Sequence, residues 1–431
     1  MGAYSADDKT PEENLVHRMI VWTWPMYFIG ALYHVYPILG FVLASWGLCR
    51  RLGLTAEEPR TIRALPVGVY IWLAGAIMMV MALVIGHLGN GYDFAETMKS
   101  LAGWTKGWAL FALFPFAGAS LRIRPQVIFR AINILSLHTL CIIPVFILGS
   151  LVGLPIVLYT SPLQMLGGGG HSFFQVGTHW IDPGSPVIRF RFYAPWAPGA
   201  AFVAHIALVC AMCERDKRWR AIGIFTSVLV CFMAKSRLSI VAVPALLVGL
   251  PVLSNLSRPL VVGLGGAASV LGSLLFGAVQ AMVANAISDF RNARADSSRV
   301  RETLQRIALQ RWQSEAPWFG HGAVERGSHL VEFMPIGSHH TWNGLLFTKG
   351  AVGALGLAAP LAWTFVECLV KAQRDPAARA ALGVVIAVFL NSNGENIEIL
   401  AYLIWPGLLL IGIAMSRRAV SVWSPTLGHP R

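Results

Sequence analysis

Four histidines and two carboxylates crowd one polar stretch, Pro317 to Gly353, in an otherwise strongly apolar chain: His321, His329, His339 and His340, with Glu325 and Glu332. A histidine takes a proton from a hydroxyl near neutral pH. Far from it in sequence stand Arg189 and Arg191, Arg237, and Arg299 and Arg301. A guanidinium stays charged and offers a planar fork to phosphate oxygens. Together these residue types suit one reaction: a deprotonated hydroxyl attacks a centre whose leaving group is a diphosphate held by arginine. Glu395 and Glu398 are further candidates for the same site.

That chemistry exists only if the fold gathers the residues. Of 431 residues, 55% are hydrophobic and 13% charged, against about 25% charged in a soluble domain. Apolar runs recur at 19–33, 36–49, 64–88, 107–121, 131–159, 197–213, 221–235, 238–254, 259–283, 342–370, 380–392 and 398–416. They predict an all-α polytopic membrane protein with about twelve transmembrane helices, a single integral domain over residues 1–431. Basic residues flank the runs at 50–51, 122–124, 214–220, 371–379 and 417–418. By the positive-inside rule these segments are cytoplasmic, and so are both termini. Two long polar segments, 160–196 and 284–341, then become outer loops. All the arginines, histidines and acids named above fall at the outer face. Charges at membrane depth are costly and usually line a wet cavity or pair with one another.

Several other readings are weaker. The net charge of +13 follows from the positive-inside bias, so no nucleic-acid partner is expected. All six cysteines lie in or beside apolar runs, which gives no disulfide framework, and Cys210-x-x-Cys213 reads as packing. Gly167–Gly170 lack the Lys-Ser/Thr of a phosphate loop and read as a flexible loop. His171, His179, His321 and His329 have no metal-ligand spacing. No Asp-x-Asp pair lies on a cytoplasmic segment to hold a divalent ion on a nucleotide diphosphate. The expectation is a metal-independent enzyme with no cofactor. His17, His34, His87, His138 and His205 read as core or interface residues, and the polar opening of the chain carries no cleavage site for a signal peptide. Trp196 and Trp342 are placed to stack on sugar rings.

The run SHHTWNGLLFTKGAVGALG resembles the histidine motif of the O-antigen ligase and Wzy-type polymerase superfamily. There a histidine, usually followed by Asn, precedes a helix with G-x-x-G about eleven residues on. His339 lies eleven residues before Gly350, and His340 stands where the family has Asn, so either His339 or His340 is the candidate catalytic base. RADSSRVRETLQRIALQRWQSEAPWFGHG resembles the family's Arg…Pro-x-x-Gly-x-Gly segment, with Arg299 or Arg301 as its arginine. AKSRLSIVAVPALL resembles the Ser-Arg helix start and places a first arginine at Arg237; RFRFYAPWAPGAA resembles the Arg-plus-aromatic stretch. The resemblance covers roughly residues 185–355. It implies a GT-C-like helical membrane fold in a bacterial inner membrane, with the site facing the periplasm. It also implies transfer of a sugar chain from undecaprenyl diphosphate, with lipid-linked glycans as donor and acceptor. Two activities share the motifs: polymerisation of repeat units, and ligation of a finished chain to lipid A–core. APWAP and NIEILAYLIWPGLLLIG look more like capsule and exopolysaccharide polymerases, a branch that works beside a chain-length regulator or flippase. A lipid-linked sugar flippase is the alternative from another class. It would more often show an internal repeat.

Overall fold

The computed structural model describes residues 9–54, 64–181, 187–277, 280–282, 284–285, 295–331, 333–337 and 340–416. His339 lies outside them. The chain is mostly helical and membrane-embedded. Among the described residues, four helices are long and apolar enough to cross a bilayer: Leu32–Arg51 (α3), Val67–Gly89 (α4), Pro125–Leu151 (α7) and Thr341–Ala372 (α13). Six shorter apolar helices accompany them: Leu110–Ser120 (α6), Ala197–Met212 (α8), Arg237–Leu253 (α10), Pro259–Leu274 (α11), Pro376–Ser392 (α14) and Trp405–Ser416 (α16). At 1.5 Å per residue an eleven-residue helix covers only about 16 Å of a hydrocarbon core about 30 Å thick. Many apolar runs are thus shared between a short helix and the turns that lead into it.

The remaining helices are Pro11–Val21 (α1), Thr23–Phe28 (α2), Phe94–Lys106 (α5), Lys217–Met233 (α9), Ala295–Glu315 (α12) and Ile397–Leu400 (α15). The polar opening of the chain is helical from Pro11. Thr10 accepts a hydrogen bond from the Glu13 amide while the Glu13 carboxylate accepts one from the Thr10 amide, the reciprocal cap that starts a helix. The long apolar run after it divides at Gly30, whose φ of +71° a glycine adopts without steric cost.

Two ends of the bundle can be traced through contacts. At one, Arg50 meets Glu12 at 3.0 Å and Arg124 meets Glu13 at 2.6 Å. Arg130 meets Glu214 at 3.0 Å, and Lys371 donates to the Met415 carbonyl at 3.0 Å. The start of α1, the ends of α3, α8, α13 and α16 and the start of α7 therefore lie together. At the other end, the starts of α3, α6, α8, α10, α13 and α15 converge with the ends of α4 and α9. Between the ends, small residues let helices approach closely, as membrane bundles do. A Cβ on Gly75 of α4 would lie 2.2 Å from the Gly356 carbonyl oxygen of α13. One turn on, Trp72 Nε1 donates to Thr364 Oγ1 at 3.0 Å.

The expected outer loop 160–196 contains two small antiparallel ladders, Tyr159–Thr160 with Gln175–Val176 and Trp180–Ile181 with Ile188–Arg189. Its glycine run is fastened to the bundle. The Tyr33 hydroxyl donates to the Gly168 carbonyl, and Lys106 Nζ reaches the Gly167 carbonyl at 3.5 Å. Gly167 and Gly168 have φ of +72° and +90°, so backbone conformation explains the glycines.

Helix α13 is broken. Gly350 has φ +61° and ψ −164°, a region open essentially to glycine alone. The break leaves carbonyls and amides unpaired, and the segment after Pro317 supplies their partners. The His321 and Gly322 amides donate to the Phe347 and Thr348 carbonyls at 2.8 and 2.9 Å. The Ala351 and Val352 amides donate to the Pro317 and Trp318 carbonyls at 2.9 and 3.1 Å. Non-helical backbone survives at membrane depth only when it is satisfied by protein in this way.

Candidate functional site

Glu395 sits where the second end of the bundle converges. It follows α14 and is buried, 7% exposed. Trp196, just before α8, donates its indole N–H to Glu395 Oε2 at 2.9 Å. Thr341, the first residue of α13, donates its hydroxyl to the Glu395 carbonyl at 2.6 Å and accepts the Ile397 amide at 3.1 Å. Trp342 donates to Ser392 Oγ at 2.9 Å. The entry to α13 is thus stapled to the α14–α15 turn. Burial raises the Glu395 carboxyl above the usual range, opposed by Arg301, the Trp196 hydrogen bond and Arg189. A buried carboxyl therefore has two arginines within electrostatic reach, one from each long loop.

The arginines arrive by different routes. Arg189 ends a ladder strand and donates Nε–H to the Ala234 carbonyl at 2.9 Å, at the end of α9. Two residues on, Arg191 is fully buried. It donates to the Pro195 and Gln175 carbonyls at 3.3 and 3.2 Å and lies 5.6 Å from the Trp180 ring. Its guanidinium ties Gln175 to Pro195. Burial lowers its pKa, with the Tyr27 and Tyr402 rings opposing. Arg237 begins α10 after the N-cap Ser236, which follows Lys235, a left-handed residue with φ +47°. The next side chain, Leu238, packs against Gly394, which puts the start of α10 beside Glu395. Arg299 and Arg301 lie on α12. Two helical positions are about 200° apart, so they face different ways: Arg301 is half-buried toward Glu395, and Arg299 is exposed.

His340 is the N-cap of α13. Its Nδ1 accepts the Asn343 amide at 3.4 Å. Burial lowers its pKa, which favours the neutral ring that a cap of this kind needs. With the Nδ1 lone pair engaged, the neutral ring carries its proton on Nε2. Asn, the residue that the resemblance places here, is itself a strong N-cap. Both residue types do the same structural work at position 340.

Glu398 lies three residues beyond Glu395, with Lys349 and Tyr33 in electrostatic reach. An aromatic group links the two carboxylates. Phe173 stands 6.0 Å from Trp196, 4.7 Å from Tyr33 and 6.2 Å from Tyr402. Lys349 was not among the residues singled out from the sequence. It is 5% exposed and belongs to the same motif as Gly350, and a lysine inside an apolar helix is the signal that could have drawn attention to it. His321, in the same stretch, does different work. His321 stacks on Phe347 at 4.3 Å and contacts Glu315 at 2.7 Å, which fastens the segment beside the helix break to α12.

The structure therefore brings together Arg189, Arg237, Arg301, His340, Glu395 and Glu398 at one end of the bundle, with Arg191 behind them. Compared with models of known protein families and with curated proteins, the chain matches none.

Proposed function

We propose that the chain is a Wzy-type polymerase, a membrane glycosyltransferase that joins undecaprenyl-diphosphate-linked repeat units at the periplasmic face of a bacterial inner membrane. About twelve crossings, both termini inside, place the Glu395 end outward in this reading. One observation carries it: arginines from two separate loops converge on one buried carboxyl beside the histidine-capped start of α13. Arg301 and Arg189, with Arg237 at the start of α10, hold the departing diphosphate. His339, adjacent to the cap, takes the proton of the acceptor hydroxyl as that oxygen attacks the anomeric carbon. The C–O bond to the diphosphate breaks as the new glycosidic bond forms, with inversion. His340 holds the helix start, and Arg299 stays at the rim.

The test is reconstitution. Purified protein given lipid-linked units extracted from a deletion strain should lengthen glycans without added metal. A product with retained anomeric configuration sinks the single displacement. Activity untouched in the His339→Ala, His340→Ala double variant sinks the enzymatic reading. Ligation to lipid A–core uses the same motifs and is separated by the deletion phenotype. Single repeat units at the surface indicate a polymerase. Long chains stranded on carrier lipid indicate a ligase.

A further inference from the structure

Below the arginine rim the protein holds a second charged group that the proposed displacement does not use. Lys349 is almost fully buried in the last turn before the break in α13. Its stem runs past Gly353, where a Cβ would lie 2.2 Å from Lys349 Cβ. The break and the second glycine of the G-x-x-G pattern thus make room for this side chain. Glu398 lies in its electrostatic reach, pressed onto Gly107, where a Cβ would lie 2.5 Å from Glu398 Cγ. The neighbouring Trp108, 1% exposed, turns its indole toward Glu398 without completing a hydrogen bond to any described residue. His87, fully buried and also in reach of Lys349, has an Nε2 with no partner among the described residues. Unpaired buried polar atoms are costly, and two of them flank this couple.

We propose that Lys349, Glu398 and Trp108 form a subsite for a hydroxyl-rich sugar ring, the acceptor end of the lipid-linked saccharide. A carboxylate accepts from hydroxyls, and an ammonium and an indole N–H donate to them, so a polyol satisfies all three. A phosphate group is disfavoured, because Glu398 repels it and the arginines above supply a better site. An alkyl chain is disfavoured by the buried charges. Trp196, Phe173, Tyr33 and Tyr402 pack against one another as an aromatic group beside the two carboxylates. Glu398 follows Glu395 by three residues, in the first turn of α15.

This inference rests on the transferase reading, and the experiment separates the two. The full-length protein in lipid nanodiscs is titrated with undecaprenyl diphosphate and assayed with lipid-linked saccharide extracted from a deletion strain. Lys349→Met/Glu398→Gln removes both charges together, so no lone buried charge remains. The expected result is undecaprenyl diphosphate binding within about twofold of the unmodified protein, KM for the saccharide raised at least about tenfold, and kcat much less affected. Trp108→Phe keeps the ring, loses one donor, and should raise KM about threefold to tenfold. If the double variant does not fold, Trp108→Phe decides alone. Unchanged KM in both variants, or in Trp108→Phe alone where the double variant fails to fold, overturns the subsite and leaves the couple as a brace between helices. If the unmodified protein neither binds undecaprenyl diphosphate nor extends the saccharide, the transferase reading fails instead.

Discussion

The two ends of the bundle handle charge in opposite ways. At the Glu13 end, each carboxylate meets one basic side chain: Glu12 with Arg50, Glu13 with Arg124, Glu214 with Arg130, Glu367 with Lys371. The first three tie neighbouring helices, and the fourth lies within α13, one turn apart. At the Glu395 end a carboxyl has arginines from two loops around it, a tryptophan N–H on it, and a second carboxyl with a buried lysine one turn away. Among the described residues, the Trp108 indole nitrogen and one His87 imidazole nitrogen there have no hydrogen-bond partner. Closed pairs hold helices together, whereas an open cluster leaves capacity for a ligand.

That contrast can be broken most sharply at the two histidines. His339→Ala should lower glycan extension by about a hundredfold to ten-thousandfold. His340→Asn should stay within about threefold, because Asn also caps a helix. Steady-state extension rates measure both, and equal losses would place proton transfer on the capping residue. Next come the arginines on α12. Arg301→Gln should weaken undecaprenyl diphosphate binding about tenfold to hundredfold, and Arg299→Gln about twofold at most. A titration in nanodiscs reads both, and the reverse order would turn α12 around.

Gly350→Ala tests the scaffold rather than the ligand. A Cβ there would lie 2.3 Å from Trp318 backbone atoms, and the backbone angles are closed to alanine. The expected cost is about 3 kcal/mol, visible as a lower unfolding temperature in detergent. A stability equal to the unmodified protein would mean that the break can close into a regular helix. The mildest test lies at the paired end. Burial opposes ionisation of Glu13, but hydrogen bonds from Arg124 and Thr10 outweigh it and depress the pKa. A depressed carboxylate stabilises above its unfolded value, near 4.5, and that contribution is lost as pH falls through the folded value. Glu13→Gln should therefore lower the unfolding temperature at pH 7, by roughly 2 kcal/mol. The gap should shrink toward pH 3, with activity per folded molecule unchanged at pH 7.

Much of this arrangement was readable in residue types. Apolar runs gave the helices, because hydrocarbon leaves a strong mark. Arg189, Arg237 and Glu395 were legible because charge beside an apolar run needs a reason. The choice between Arg299 and Arg301 was not, since both suit the motif and only helical phase separates them. Lys349 was passed over as part of a glycine pattern. Its burial depends on a loop from elsewhere breaking the helix, and no local signal carries that. The role of His340 was hidden for a related reason: a cap is defined by the backbone angles around it, which residue identity alone does not give.

The break at Gly350 also sets an order of assembly. The segment that satisfies it, Pro317–Gly322, leaves the ribosome before α13 does. The lower half of α13 can insert as an ordinary helix. The backbone groups at the break are satisfied only when that segment docks. The open end of the protein is therefore finished last, after the paired end has fixed the helices. A chain stalled before that docking would be inserted and helical, yet without its site.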